Sequence, residues 1–327
     1  MKFRYSRRSF VGRVGGAFPV AAWAQQVRQP GVKRIGLLMG SETTTIDAFN
    51  NELRRLGYVD GKNIAVETRI TRPNSPDTAK YAAELGIMDL DLVVVAALPG
   101  ALEMRKANPA MPMVIATCPG MVSNGFASSL EHPGGHVTGM DELPPGVTAK
   151  RMTLLKTAAP AISRIALLST TPGRGGHETQ LADAERAAEE LGVSVKPYRA
   201  ASLIELETAL TALTNDGMNG LLTFQGALSL FNRKLIVDFA AKHVIPAIYQ
   251  ATLFAEVGGL MAWAPDLSEQ FTMAARYVDQ ILKGANPGDL PIRHPSRYYL
   301  TINAGAAKGL GLALPAAMLA QADRVLP

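Results

Sequence analysis

The sequence predicts an α/β protein built as two doubly wound halves. Three observations carry that prediction. Short apolar runs bounded by turn signals alternate with helical periods throughout, the pattern of βαβ units. The alternation restarts after the Pro-rich stretch Leu143-Pro144-Pro145-Gly146. At 327 residues the chain also exceeds what one core usually supports, so two domains are the default. With 47% hydrophobic and 19% charged residues, it is ordinary globular material.

After a Pro/Gly linker over 25–33, an apolar run at 35–39 ends at Gly40, and the polar loop 41–45 leads into a helix carrying Phe49, Leu53 and Leu56. Gly57 is placed to stop that helix as a left-handed C-cap. A second strand is expected over 63–70 and a helix over 81–88. The continuous apolar run 92–97 has the character of a strand buried on both faces of a parallel sheet. Leu98-Pro99-Gly100 opens a helix that ends before Pro109, and strands follow at 113–117 and 137–140. Past the linker come a helix over 148–158, a strand over 165–169 and a helix over 178–191 capped by Gly192. A strand over 193–198, a helix over 203–213, a strand over 220–224, a helix over 230–243 and a strand over 247–250 complete the second series. No internal repeat or low-complexity tract interrupts it.

The stretch 247–266, AIYQATLFAEVGGLMAWAPD, holds two strand-like runs separated by Gly258-Gly259 and ends in a helix-start signal. Asp266 followed by Glu269 has the form of a reciprocal N-cap ahead of Leu267, Phe271, Ala275, Val278 and Leu282. Tyr249, Phe254 and Trp263 fall near strand ends, where open α/β sheets bind ligands. The plainer reading places all three in the core, since aromatics mainly supply buried area. A Pro-rich strip over 287–295 then leads to a last strand at 298–302.

The net charge of +5 resides at one end. Residues 1–24 hold five of the 33 Lys and Arg and no acid, so the remainder carries 28 basic against 28 acidic residues. The body therefore offers no general electrostatic footprint for nucleic acid. Residues 1–24 have the parts of an export signal peptide: a basic start, an apolar stretch at 14–22 and the A-x-A site Ala22-Trp23-Ala24. Ser6-Arg7-Arg8-Ser9-Phe10-Val11 is similar to the twin-arginine export motif, which makes the periplasm the expected location. A membrane-embedded segment is not expected, because no apolar run is long enough to span. Cys118 is the single cysteine, so an internal disulfide is excluded.

Catalytic constellations are not found: there is no H-E-x-x-H, no G-x-S-x-G and no Walker loop. The five histidines show no metal-ligand spacing, so neither a metal nor another cofactor is expected. The loop Thr171-Pro172-Gly173-Arg174-Gly175-Gly176 departs from a dinucleotide fingerprint at Glu178, an acid that repels phosphate. N–H groups at such a helix start still suit a ligand carboxylate. The loop Ser41-Glu42-Thr43-Thr44-Thr45 offers the same in the first half, and two such loops facing each other would clamp a small anionic or zwitterionic molecule. Glu42 reads as an ammonium receptor or a solvated loop acid. Asp266 is first a helix cap and second a ligand contact, and Cys118 either lines the cleft or fills the core.

Beyond these readings, a set of longer motifs runs through the whole chain: AWAQQ, RRLGYVDGKNIAVETR, SSLEHPGGHVTGM, KRMTLLKTAAPAISRIALL, LIVDFAAKHVIPAIYQ, FAEVGGLMAWAPD, YVDQILKGANPGDLPI and INAGAAKGLGLALPAAMLAQADRVL. In their number and order the chain resembles the periplasmic substrate-binding proteins of ABC transporters, the family that includes tryptophan- and tyrosine-type binders. The resemblance implies a type I periplasmic binding protein fold, two doubly wound lobes joined by a three-segment hinge near 141–148, 264–267 and 285–295. One lobe would take 32–141 plus 266–288 and the other 146–264 plus 292–327. It implies a monomeric, non-enzymatic receptor that closes on a small-molecule ligand and delivers it to an ABC permease. Family members often carry Asp-Pro after the fourth strand, where this chain has Gly120-Met121, and a Tyr where it has Trp263. Both changes make the pocket more apolar.

The expected ligand is a small aromatic or carboxylated solute, possible amino-acid likeness included. Tyr249, Phe254 and Trp263 are expected to enclose its apolar part, and Ser41, Thr43, Thr170 and Thr171 its polar end. Glu42, Leu98, Cys118, Gln225 and Asp266 complete the expected set. The alternatives are a soluble α/β nucleotide-binding enzyme, against which the missing phosphate loop argues, and a ligand-sensing partner of a membrane signalling protein.

Overall fold

Five strands of the first half form one parallel sheet in the order β2-β1-β3-β4-β5. They are β1 (Lys33–Met39), β2 (Ile64–Ile70), β3 (Leu92–Val95), β4 (Met113–Cys118) and β5 (Val137–Asp141). The structure, a computed structural model, describes residues 31–40, 43–72, 75–171, 173 and 176–327. The export-signal segment, Ser41, Glu42, Pro172, Arg174 and Gly175 lie outside the described residues, as does the side chain of Thr43.

The crossovers are α1 (Thr43–Arg55), α2 (Asp77–Gly86) and α3 (Leu98–Ala107). Phe49 and Leu53, four apart on α1, both bury against the sheet. Gly57 adopts φ +93°, and Tyr58 N–H reaches back to Leu53 O at 2.9 Å, closing the helix as its glycine predicts. All four residues of β3 are buried, as a central parallel strand requires.

The second half builds a seven-stranded sheet in the order β12-β11-β10-β9-β8-β6-β7. In chain order its elements are α4 (Val147–Ala158), β6 (Arg164–Ser169), α5 (His177–Leu191), β7 (Ser194–Arg199), α6 (Leu203–Asn215) and β8 (Gly220–Thr223). There follow α7 (Ala227–Phe231), α8 (Arg233–Lys242), β9 (Ala247–Tyr249), α9 (Thr252–Glu256), β10 (Met261–Pro265), α10 (Leu267–Leu282), β11 (Tyr298–Asn303), α11 (Ala304–Gly309), α12 (Ala316–Gln321) and β12 (Arg324–Leu326). Only β11 runs against its neighbour β10. Helix α10 leaves this sheet and packs instead on α1 and across β3, β4 and β5, where Phe271, Ala274, Ala275 and Val278 complete the first core.

The structure departs from the sequence reading in four places. The expected helix over 230–243 is divided at Asn232, whose side-chain amide bonds Leu228 O at 2.8 Å. Between β9 and β10 lies α9 rather than a bare turn, because the two strands pair in parallel and need a crossover. The capping at α10 is not reciprocal: Asp266 accepts from Ser268 N–H at 2.8 Å, but Glu269 accepts from Ser296 N–H at 3.2 Å. The segment after β11, legible only as a family motif, forms α11, α12 and the edge strand β12.

The chain passes between the sheets three times: from β5 to α4, from β10 through Asp266 to α10, and from α10 to β11. The first and third passages lie side by side. Asp141 N–H donates to Arg293 O at 2.9 Å, Arg293 N–H to Gly139 O at 3.2 Å and Tyr298 OH to Glu142 O at 2.8 Å. Gly139, at φ +150°, permits a break in the β4–β5 register, and a Cβ there would stand 2.0 Å from Ile115 O.

Candidate functional site

A cavity of about 600 Å³ opens where the carboxyl ends of the strands of both sheets converge, the position at which parallel α/β sheets bind ligands. The first half contributes Thr45 from α1, Leu98 and Pro99 from the start of α3, Thr117 from the end of β4, and Glu142 just past β5. The second half contributes Thr171, Gln225, Ala227, Leu230 and Gln250, all within reach of the ends of β6, β8 and β9. Asp266, Leu267 and Ser268 line it from the middle passage, and Glu256, Tyr299, Thr301, Asp323 and Arg324 from the far side.

The polar groups of this wall differ in how fully they are engaged. Gln250 has both ends of its amide committed, accepting from Thr223 hydroxyl and donating to Ser229 Oγ at 2.8 Å. Thr117 hydroxyl donates to Ala96 O at 2.6 Å, which leaves its oxygen as an acceptor. On the far side the charges are paired: Arg324 with Glu256 at 3.0 Å, and Arg297 with Asp323. Among the described residues Glu142 and Asp266 have no ion-pair partner.

Glu142 is only 7% exposed. Its Oε1 accepts from Gln270 Nε2 at 3.3 Å, and Gln225 is a second amide neighbour. Burial pushes its carboxyl up to about 7 despite those bonds, with Asp141 adding to the rise and Arg151 opposing it. Arg151, on α4, is fully buried. Its Nε donates to Trp263 O at 2.9 Å and its Nη2 to Gln225 Oε1 at 3.4 Å, while Nη1 has no partner. Burial brings this guanidinium down to about 10. Arg151, Gln225, Glu142 and Gln270 thus form one polar chain that begins on the second sheet's helices and ends on α10 of the first half.

Of the residues expected from sequence, Leu98, Thr171, Gln225 and Asp266 are brought together around the cavity. Tyr249 and Phe254 are not on its wall: they stack on each other at 4.6 Å inside the second core, 1% and 0% exposed. Trp263 packs on Tyr298 at 4.7 Å against that half's other core. Thr170 is buried and donates to Ser229 Oγ at 3.4 Å. Cys118 is fully buried in the first half's other core, with Ile115 and Phe126, where burial pushes its thiol well up. The aromatics point inward because an apolar run buried on both sheet faces gives its side chains to the cores. Gly120 and Met121 donate their N–H groups to Asp141 at 3.0 and 2.8 Å. The acid at that corner is thus supplied by β5.

Sequence reasoning missed Glu142, Thr117, Gln250 and Arg151. For Arg151 a signal existed: it falls at the helical phase of Val147, Leu154, Leu155 and Ala158, all buried. For Glu142 the only signal was an acid pair, Asp141-Glu142, between an apolar strand and a double proline.

Two α/β lobes with a cavity between the strand ends and three connecting passages define a type I periplasmic binding protein. The chain belongs to the ABC transporter substrate binding protein family, which it matches over residues 30–326. It is similar to a tyrosine-binding protein of Clostridioides difficile (strain R20291), 22% identical over 284 residues, which are 86% of this chain and 81% of the relative. Among solved structures it is similar to an ABC domain in complex with L-Trp from Streptococcus pneumonia, with a TM-score of 0.84, 24% identity, and coverage of 90% of this chain and all (100%) of the other. A conserved domain protein from Vibrio cholerae superposes with a TM-score of 0.82 at 23% identity, covering 90% of this chain and 99% of the other. The protein is accordingly a solute-binding receptor for a small organic ligand, and its family is a non-catalytic component of transport. Among the described residues no helix is long and apolar enough to cross a membrane.

Proposed function

We propose that the protein is an exported receptor that captures an amino-acid-like organic solute between its two lobes and delivers it to an ABC permease, reaching the periplasm by the twin-arginine route. The cavity carries this reading, because its wall is drawn from the carboxyl ends of both sheets. A ligand held there contacts both lobes at once, and contacts made only when they are together favour the closed state by that difference in affinity. Leu98, Ala227, Leu230 and Leu267 offer apolar surface, and Thr45, Thr117, Thr171 and Ser268 offer hydroxyls. The starts of α3 and α10 line the same space, and the N–H groups of a helix start suit a ligand carboxylate. A tyrosine-binding relative and a tryptophan-bound structural neighbour support the amino-acid-like class.

A thermal-shift screen of the mature chain against amino acids, aromatic acids and aromatic amines tests the reading. Members that bind at a hundred times their Kd stabilise by about 2.7 kcal/mol. A flat response across the panel would overturn it.

A further inference from the structure

We propose that Glu142 is the specificity-determining group of the cavity and holds a protonated nitrogen of the solute, so that the ligand is an ammonium-bearing molecule. This rests on the reading of the cavity as the solute site.

The placement of Glu142 sets it apart from every other acid nearby. Its neighbour Asp141 is saturated by three backbone N–H groups, Gly120 at 3.0 Å, Met121 at 2.8 Å and Leu143 at 2.9 Å, and serves the corner between β4 and β5. Glu256 and Asp323 are matched by arginines. Glu142 lines the cavity yet is almost wholly removed from water, and its side-chain partners are amides. A buried carboxylate is costly unless paired with a cation. Arg151 is the nearest cation and its field opposes the rise at Glu142, but the two form no ion pair: Arg151 Nε and Nη2 donate to Trp263 O and Gln225, and its Nη1 has no partner. Glu142 lines the cavity, and the complement to a carboxylate there is an ammonium group. Asp266, whose Oδ1 is engaged by Ser268 N–H, adds a second negative charge to the wall.

The titratable and charged groups facing Glu142 are Asp141 beside it, Arg151 from α4, Tyr298 from β11 and Cys118 from β4. His294 approaches from the third passage through Asp141 O, at 2.7 Å. In the empty protein, burial holds the Glu142 carboxyl near 7. An ammonium group favours the ionised form and lowers that value, so binding expels a proton from Glu142.

Calorimetric titration of the mature chain with L-phenylalanine, phenethylamine, 3-phenylpropionate and benzyl alcohol, together with the tyrosine and tryptophan counterparts of each, tests the proposal. Ammonium-bearing members are expected to bind and the nitrogen-free ones not to. For a binder, affinity should fall about tenfold from pH 8 to pH 6, the change in the ionised fraction of a group titrating near 7. Binding at pH 7 should release about half a proton, read from the heats in two buffers of different ionisation enthalpy. Glu142→Gln should lose at least about tenfold in affinity together with the pH dependence. The proton-release measurement uses the unmodified protein and stands even if the variant does not fold. Nitrogen-free members binding as well as their amines would overturn this proposal and leave the solute reading intact, as would ammonium binding without proton release. No binding by any member would overturn both.

Discussion

Replacing Glu142 by glutamine removes a carboxylate that folding must bury without an ion-pair partner. The folded protein holds this group at about 7 against an ordinary value of 4.5. A rise of that size corresponds to roughly 3 kcal/mol of folding free energy once the group is ionised in both states. The sign follows from the direction. Because the folded value is the higher one, the stability linked to this proton is fully present below 4.5 and is lost as pH rises through about 7. Glutamine mimics the protonated form at every pH. It also brings an N–H that can serve Gln270 Oε1, which is buried and has no partner. Between pH 5 and pH 8 the variant should therefore gain about 2.5 kcal/mol on the wild type, or about 5 °C in Tm for a domain of this size. Urea unfolding of both ligand-free proteins at pH 5, 6, 7 and 8 measures the difference directly. Parallel curves over that range would show that Glu142 is solvated or already paired, and the reasoning about the cavity would fall with it.

Trp263→Ala should lower the stability of the empty protein by about 3 kcal/mol, the low end of the range for deleting a packed aromatic, because the half-buried ring lies on Tyr298 and on the second half's other core, that of Leu155 and Ile165. Its solute affinity should change less than about threefold, and a large affinity loss at unchanged stability would return this residue to the site. Gly139→Ala places a Cβ against Ile115 O and should sharply reduce folded protein on size-exclusion chromatography, whereas normal yield would mean the β4–β5 irregularity relaxes freely. Glu52, bonded by Arg55 and Arg276 at 2.7 Å each, is held down to about 2, first by the Arg55 hydrogen bond. Its contribution is present above 4.5 and lost as pH falls through about 2. Glu52→Gln should cost about 1 kcal/mol at pH 7, limited by solvent screening of the two exposed arginines, and the deficit should close in acid unfolding between those pH values.

Much of the architecture was legible because the signals are local. The apolar run at 92–97 reads as a buried parallel strand from composition alone, and β3 is buried along its whole length. Gly57 and Gly192 mark helix ends through the left-handed conformations they adopt, φ +93° and +63°. The capping at Asp266 was half legible: the side chain caps α10, but Glu269 turns to Ser296, a partner 27 residues away that no local pattern contains. The crossover α9 was hidden because five residues are too few to show a helical period.

The site was less legible, for a physical reason. Aromatic residues near strand ends serve a core or a cleft equally well, and the choice depends on which sheet face each one occupies. Tyr249 and Phe254 go to the core, where Gly259 leaves room for them: a Cβ on that glycine would stand 2.6 Å from the Tyr249 ring. Leu98, Thr171, Gln225 and Asp266 were reachable because each follows a strand at its carboxyl end, and the topology of a doubly wound sheet carries such positions to one edge.

By itself, then, the amino-acid sequence determined the two βαβ series, the helix ends marked by Gly57 and Gly192, and the family, all of which rest on period, glycine placement and ordered motifs. Tertiary structure alone decided that Glu142 faces the cavity with only amide bonds while its neighbour Asp141 is consumed by three N–H groups. Two adjacent acids look alike in a sequence. They part only when Gln270 of α10 and Gln225 beyond β8, 128 and 83 positions away (270 − 142 and 225 − 142), are folded against one of them. The charge environment of a buried carboxylate is a property of those distant contacts.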